Sequence, residues 1–422
     1  MTSRPIRRVL PLSLAALACS GCQIFGLKEQ VQQIEKYGLA TAVVQGANPG
    51  HTTFVVAWRE RTDEQNQLQL ECIGHHPVDA GGVAHFLLEN GIPHELAAFT
   101  DVDEDGLYDP GEPAAIVTNV WPQPLEREEE PRPTALVLDI DVRLPEGCTM
   151  RDAPEEYGQV LAMKAGTLAT LEDARFEQDE GTRGMWKPFE FLADNGGGIY
   201  FLEDYDKDRV PVLFVHGISG SPRQFERLIN DLDRTRFQPW VFHYPSGFRL
   251  TKIAAGLRSG MDRLHDRLGF DRMAIVAHSM GGLVSRAAIQ RLATGDKDNY
   301  VSNLVTISSP FGGHSAATLG VEYLSNPVPA WRDLVPGSEF LSGMLDTPLP
   351  ATTQHDLLFG FQTKGGMGMP NDNDGVVGVA SQLEPRVQME ARSLFGQPLQ
   401  HVDILSSDAT VAHVQTALNA PQ

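Results

Sequence analysis

Cysteine is scarce: the 422 residues hold four, and two of them, Cys19 and Cys22, fall within the first 22 positions. This excludes a disulfide-dense scaffold, so stability has to come from ordinary cores. Basic charge is also short. Lys and Arg number 34 against 55 Asp and Glu, a formal net charge of −21, which argues against a nucleic-acid partner or a basic membrane-binding face. The apolar run Val9–Ala18 is shorter than the roughly 20 residues that a bilayer crossing takes. The chain shows no internal repeat and no low-complexity tract. At this length two globular units with connecting segments are expected.

The N-terminus "MTSRPIRRVLPLSLAALACSGCQ" has the parts of an export signal: Arg4, Arg7 and Arg8, the apolar run, then small residues. Within it "LACSGC" resembles the lipobox of bacterial lipoproteins, which implies cleavage before a cysteine that then receives lipid. Cys22 is preferred and Cys19 is the other candidate; simple secretion, with both cysteines discarded, is the alternative. A lipid there would tether the exported protein to the bacterial cell envelope without crossing the membrane. The two remaining cysteines, Cys72 and Cys148, can pair in an oxidising compartment or stay as two buried thiols.

After the signal, residues 1–22, a helical linker is expected over 23–40, followed by a β-sandwich-like domain over 41–150. Its strands are short β-rich runs such as "TTFVVAWR", "QLQLECI" and "TALVLDIDVRL", bounded by Gly, Pro, Asn and Asp turns. From 151 to 422 the pattern changes. A lead-in "YGQVLAMKAGTLATLEDARF" reads as helix, "GGGIYFLEDYDKDRVPVLFVHG" as two strands, and strands then alternate with helices to the C-terminus. The fold class is therefore α/β, a doubly wound, mostly parallel sheet whose ligands sit beyond the carboxyl ends of the strands.

One such end reads "MAIVAHSMGGLVSRAA". A serine hydroxyl becomes a nucleophile only beside a base, and it must stand clear of the sheet to meet a carbonyl. A sharp strand-to-helix turn does this, and small neighbours allow it, hence G-x-S-x-G. Ala277-His278-Ser279-Met280-Gly281 follows the pattern with alanine first. The turn would aim the N–H of Met280 at a developing oxyanion, and "VLFVHGISGSP" would supply a second donor in Ile218 N–H.

With "VHGISGS", "HSMGG" and "NDGVV" together, the chain from about Tyr200 onward resembles an α/β-hydrolase of the bacterial lipase and esterase kind. The resemblance covers about half of the chain. It implies an acyl-enzyme mechanism with Ser, Asp and His in that chain order. "MPNDNDGVVGVAS" offers Asp374 as the acid, with Asp372 as the alternative, and "LQHVDILSSDATVAHV" offers His401 as the base ahead of a terminal helix that carries His413. His216, His243, His265, His278, His314 and His355 read as structural, with His216 steadying the oxyanion loop. Catalysis calls for no cofactor.

Two further stretches stand out. Residues 311–340 are long and apolar enough either to cap the serine, with Leu319, Tyr323, Leu324 and Trp331 toward an acyl chain, or to form a static loop. In the β-rich half "DVDEDGLYDPGE" places Asp101, Asp103, Asp105, Leu107, Asp109 and Glu112 at the ligand positions of a calcium loop, with Gly106 sixth. Flanking strands and Pro113 exclude an EF-hand, leaving a calcium-binding hairpin or an acidic solvent turn.

These features point to an exported, membrane-anchored serine hydrolase that cleaves carboxylic esters of lipids or other hydrophobic molecules. Phospholipase or acyltransferase activity would suit the same residues. From another class, an inactive hydrolase scaffold could serve as an envelope binding lipoprotein.

Overall fold

The computed structural model describes residues 30, 32, 36–48, 50–62, 68–78, 82–124, 132–145, 164–293, 299–324, 326–361 and 372–420. The expected leader with Cys19 and Cys22, and Cys148 with the pairing expected of it, lie outside these residues. No helix among the described residues is long and apolar enough to cross a membrane.

The N-terminal half forms two small sheets. One joins β1 (Tyr37–Gln45), β4 (Val83–Glu89), β7 (Gln123–Pro124) and β8 (Pro133–Val137); the other has the order β3 (Leu68–Pro77), β2 (Thr52–Thr62), β5 (His94–Asp101), β6 (Ala114–Val120). All pairings are antiparallel except β1 with β8. Strand alternation decides the core between them: Ala40, Ala42 and Val44 of β1 meet Val55 and Ala57 of β2 and Leu96 and Ala98 of β5. The opposite face of the second sheet is covered too, by a cluster of Val56, Trp58, Ala97, Phe99 and Leu144. The expected sandwich is present, and its first strand begins at Tyr37, inside the stretch expected as a linker.

The C-terminal half is built on one eight-stranded sheet. Its strands are β9 (Lys164–Leu168), β10 (Gly198–Phe201), β11 (Val210–Val215), β12 (Phe237–His243), β13 (Met273–His278), β14 (Val301–Ile307), β15 (Gln354–Gly360) and β16 (Ser393–Gln397). They lie in the order β16-β15-β14-β13-β11-β12-β10-β9, and only β10 with β12 is antiparallel. Helices cover both faces, so β13 is buried throughout and β11 from Pro211 onward, and both read as near-continuous apolar runs. Leu213 and Val215 face the cluster under the helices Leu250–Leu268 and Met280–Ala293, whereas Val212 and Phe214 face the cluster that includes the C-terminal helix Asp408–Asn419.

One local expectation is corrected. The lead-in expected as helix places Lys164–Leu168 in strand β9, because these residues pair along the free edge of β10; Gly166 adopts φ +82°, which a helix cannot hold. The strands β10 and β11, consecutive in the chain, are separated in the sheet by β12, which inserts between them.

The halves touch through Leu87 of β4, packed with Phe191 and Leu192 of the helix Pro188–Asn195. Beside this contact a cavity of about 400 Å³ opens between β1 and the helix Leu250–Leu268, lined by Leu39, Val43, Phe242, Phe248 and Ile253. Phe214, at the centre of the sheet and packed against Phe225, sets the scale of the core energetics. Phe214→Ala should destabilise the C-terminal half by about 3–5 kcal/mol, read from the urea midpoint followed by tryptophan fluorescence.

Candidate active site

Strand β13 ends at His278 and the helix Met280–Ala293 starts one residue later. Ser279 makes the whole turn alone, with φ +53°, a left-handed conformation that costs a residue with a Cβ on the order of 1 kcal/mol. Its N–H is held by Ile307 O of the neighbouring strand end at 2.8 Å. The surroundings explain the glycines. A Cβ on Gly281 would overlap the carbonyl oxygens of Val215 and His216, one on Gly282 would overlap the Ser309 side chain, and one on Gly217 would lie 2.7 Å from Ser279 Cβ. The loop after β11 is thereby pressed directly against the serine.

Neither Ile218 N–H nor Met280 N–H has a hydrogen-bond partner among the described residues. The loop that carries Ile218 is braced from below. Tyr244 O–H donates to His216 O at 2.5 Å and its ring stacks on His216 at 4.3 Å, while Ser219, itself at φ +55°, donates its N–H to Ser246 Oγ at 2.9 Å. His216 Nδ1–H donates to Gly217 O at 2.8 Å, so its Nε2 accepts from His243 Nδ1–H at 3.3 Å. Burial pushes His216 down to about 4 and His243 well below its ordinary value, so both rings are neutral at pH 7. His216 thus steadies the loop as expected, and the stretch "FHYPSG" proves to be its support.

Asp374 lies on the connection from β15 to β16, fully buried. Its Oδ1 accepts the N–H groups of Val377 at 2.7 Å and Val376 at 3.0 Å, and its Oδ2 accepts His401 Nδ1–H at 2.6 Å. Burial by itself would raise this carboxyl, but the His401 hydrogen bond and charge and the two backbone donors outweigh it and hold the group below 3.8. Asp372 is exposed and does not meet His401.

His401 comes from the segment after β16. Its N–H donates to Asp374 O at 2.9 Å, and its carbonyl accepts His278 Nε2–H at 2.8 Å, which ties it to the residue beside Ser279. Burial and the His401 charge drive His278 down to about 3, so it serves as a neutral donor. On the other side His314 Nε2–H donates to Val376 O at 2.7 Å, and His314 Nδ1 accepts Ala316 N–H to start the helix Ser315–Tyr323. The structure therefore brings Asp374 and His401 together next to the Ser279 turn, and Ser279 Oγ makes no hydrogen bond among the described residues. His413 is elsewhere, stacked on Phe395 at 4.7 Å and hydrogen-bonded to Ser393.

The bracing roles of His278 and His314 were not legible in the sequence. Both depend on which carbonyl comes within reach across segments far apart in the chain. His278 does stand beside the serine, but adjacency alone says nothing of its partner.

Residues 311–340 fold into the helices Ser315–Tyr323 and Pro329–Leu334 and the start of Glu339–Asp346. Trp331 is buried against Trp186 and Leu324 packs on the same core, whereas Leu319 and Tyr323 are exposed. Buried Asp333 pins the second helix: it pairs with Arg249 at 2.7 Å and accepts Leu250 N–H at 2.6 Å.

A family model described as the alpha/beta hydrolase fold matches residues 210–348. The C-terminal half has the α/β-hydrolase fold. No curated protein sequence matches the chain. Among solved structures it is similar to a mature lipase from Bacillus licheniformis, at 21% identity over 52% of this chain and 95% of that one, with a TM-score of 0.41. It is also similar to phospholipase PlaB from Legionella pneumophila, at 15% identity over 50% and 60% of the two chains and a TM-score of 0.39. A third is naproxen esterase from Bacillus subtilis, at 13% identity over 51% and 85% and a TM-score of 0.33.

In this hydrolase fold the depressed Asp374 pKa links stability to pH. An acid whose folded value lies below its unfolded value stabilises in full above the unfolded value and loses that contribution as pH falls through the folded one. The stability difference between wild type and Asp374→Asn should be steady near neutral pH and shrink as pH drops below 3.8, as read from urea unfolding at a series of pH values.

Proposed function

We propose that this chain is an exported serine hydrolase that cleaves carboxylic esters of hydrophobic substrates through an acyl-enzyme. The observation that carries the reading is the position of Ser279, alone in a left-handed turn between strand and helix, with the hydrogen-bonded Asp374–His401 pair tied to the adjacent residue.

Because His401 Nδ1–H is committed to Asp374, the Nε2 lone pair is the basic position of the ring. It takes the Ser279 proton as Oγ bonds to the acyl carbon, and the carbonyl electron pair moves to oxygen. That oxyanion is received by Ile218 and Met280 N–H. Collapse breaks the bond to the leaving alkoxide, which takes the proton from His401. Water then repeats the sequence, giving its proton to His401 and releasing the carboxylic acid with Ser279 restored. Asp374 stays ionised throughout, orienting the ring and stabilising the imidazolium. No metal or organic cofactor takes part.

A lipid on Cys22, or on Cys19, would hold the enzyme at the cell envelope, where acyl esters are concentrated. The β-sandwich half, residues 41–150, would stand between the anchor and the catalytic half, residues 151–422.

Hydrolysis of a p-nitrophenyl ester series of increasing acyl length tests this reading. Ser279→Ala should abolish turnover and labelling by a fluorophosphonate, and Asp374→Asn should lower kcat on the order of 10³–10⁴-fold with the fold retained. Turnover that survives in Ser279→Ala, or a folded wild type inert to both ester and fluorophosphonate, would overturn the assignment.

A further inference from the structure

The connection between β5 and β6 carries six acids, Asp101, Asp103, Glu104, Asp105, Asp109 and Glu112, and no basic residue. None of the six forms an ion pair among the described residues. Like charges so placed repel, and a carboxylate taken out of water needs a partner.

The structure divides these acids into two groups. An oxygen from each of Asp101, Asp103 and Asp105 lies within 4.8 Å of the other two. Glu112 is otherwise engaged: its Oε1 accepts Val102 N–H at 2.6 Å and its Oε2 accepts Asp109 N–H at 3.0 Å. It closes the connection on itself and does not join the cluster, and Asp109 stays outside as well. Asp109 and Glu112, ligands in the twelve-position pattern expected from the spacing, thus lie outside this three-carboxylate cluster.

Asp101 carries the decisive observation. It ends β5 opposite Thr52 and is only 3% exposed. Its Oδ2 accepts Gly106 N–H at 2.9 Å, but its Oδ1 is buried without any hydrogen-bond partner. A sequestered carboxylate oxygen left unmatched is costly, and an oxygen of each of two further carboxylates lies within 4.8 Å of an oxygen of this same side chain.

We propose that Asp101, Asp103 and Asp105 bind one calcium ion at the end of β5. An all-oxygen, acid-rich donor set suits a hard cation, and a loop site with irregularly placed carboxylates suits calcium, which takes roughly six to eight oxygens in loose geometry, over magnesium, which demands a near-ideal octahedron. The Leu107 carbonyl and water complete the shell. The ion relieves the repulsion and satisfies Asp101 Oδ1. It fastens the connection to the sandwich, where Tyr108 already packs edge-on against Phe99 at 5.8 Å and donates to Val142 O at 3.3 Å. Its effect is on the stability of the β-sandwich half and not on ester chemistry.

The test is calorimetric titration of the full chain, stripped of metal with a chelator, with calcium chloride. One ion per chain is expected, with a Kd of about 1 mM or tighter, and the thermal midpoint should rise as calcium is added. Asp105→Asn, at an exposed position, should weaken binding at least about tenfold through the lost ligand charge, while Asp109→Asn should bind like wild type. Asp101→Asn removes a buried group, so its reading is accepted only if its circular dichroism matches wild type. Absence of saturable binding up to about 10 mM calcium by folded protein would overturn the proposal. So would an unchanged Kd in Asp105→Asn, a loss in Asp109→Asn equal to that in Asp105→Asn, or equal affinity for magnesium.

Discussion

A single left-handed residue, Ser279, sets the tolerances of the C-terminal half. To turn from β13 directly into a helix, the chain takes φ +53° at a residue with a Cβ, and the unfavourable backbone is held by neighbours on every side. Ile307 O fixes the serine N–H, and Gly281 and Gly282 let the helix start against the ends of β11 and β14. Gly217 lets the loop after β11 press on the serine from the other side. The outcome is a hydroxyl on a rigid corner next to the free N–H groups at a helix start, where partial positive charge gathers.

That corner would be of little use if the loops around it were loose, and they are held by histidines that carry no charge. His216, His278 and His314 are all shifted toward the neutral form, with burial the leading cause in each. A neutral ring has one donor and one acceptor, so each fixes a direction: His216 to Gly217 O, His278 to His401 O, His314 to Val376 O. The loop from His216 to Gly220 and both segments bearing Asp374 and His401 are therefore positioned by hydrogen bonds whose geometry changes little with pH in the neutral range. Only the Asp374–His401 contact joins groups of opposite charge when the ring is protonated.

The β-sandwich half follows a different economy. It has two small sheets and a narrow core rich in alanine and valine, so its connections matter more. The β5–β6 connection is the most acidic of them and starts from the buried Asp101, whereas the contact with the C-terminal half is made by a few apolar side chains, Leu87, Phe191 and Leu192.

Much of this was written in the order of residues. The alternation of buried strands and helices, the turn at Ala277–Gly281, the loop at His216–Gly220 and the chain order of Ser279, Asp374 and His401 depend on local spacing, and local spacing survives folding. The choice of Asp374 over Asp372 and of His401 over His413 was favoured by the sequence, but it became a contact only because the ends of β15 and β16 bring those loops to one place. Where pairing across the sheet decided, local reading failed: Lys164–Leu168 became a strand because β10 offered an open edge. Glu112 likewise occupies a ligand position by spacing and is spent on two backbone N–H groups in the fold. The sequence by itself determined what chemistry the residues could perform; which of them meet was left to long-range pairing, because hydrogen bonds form between groups near in space, however far apart along the chain.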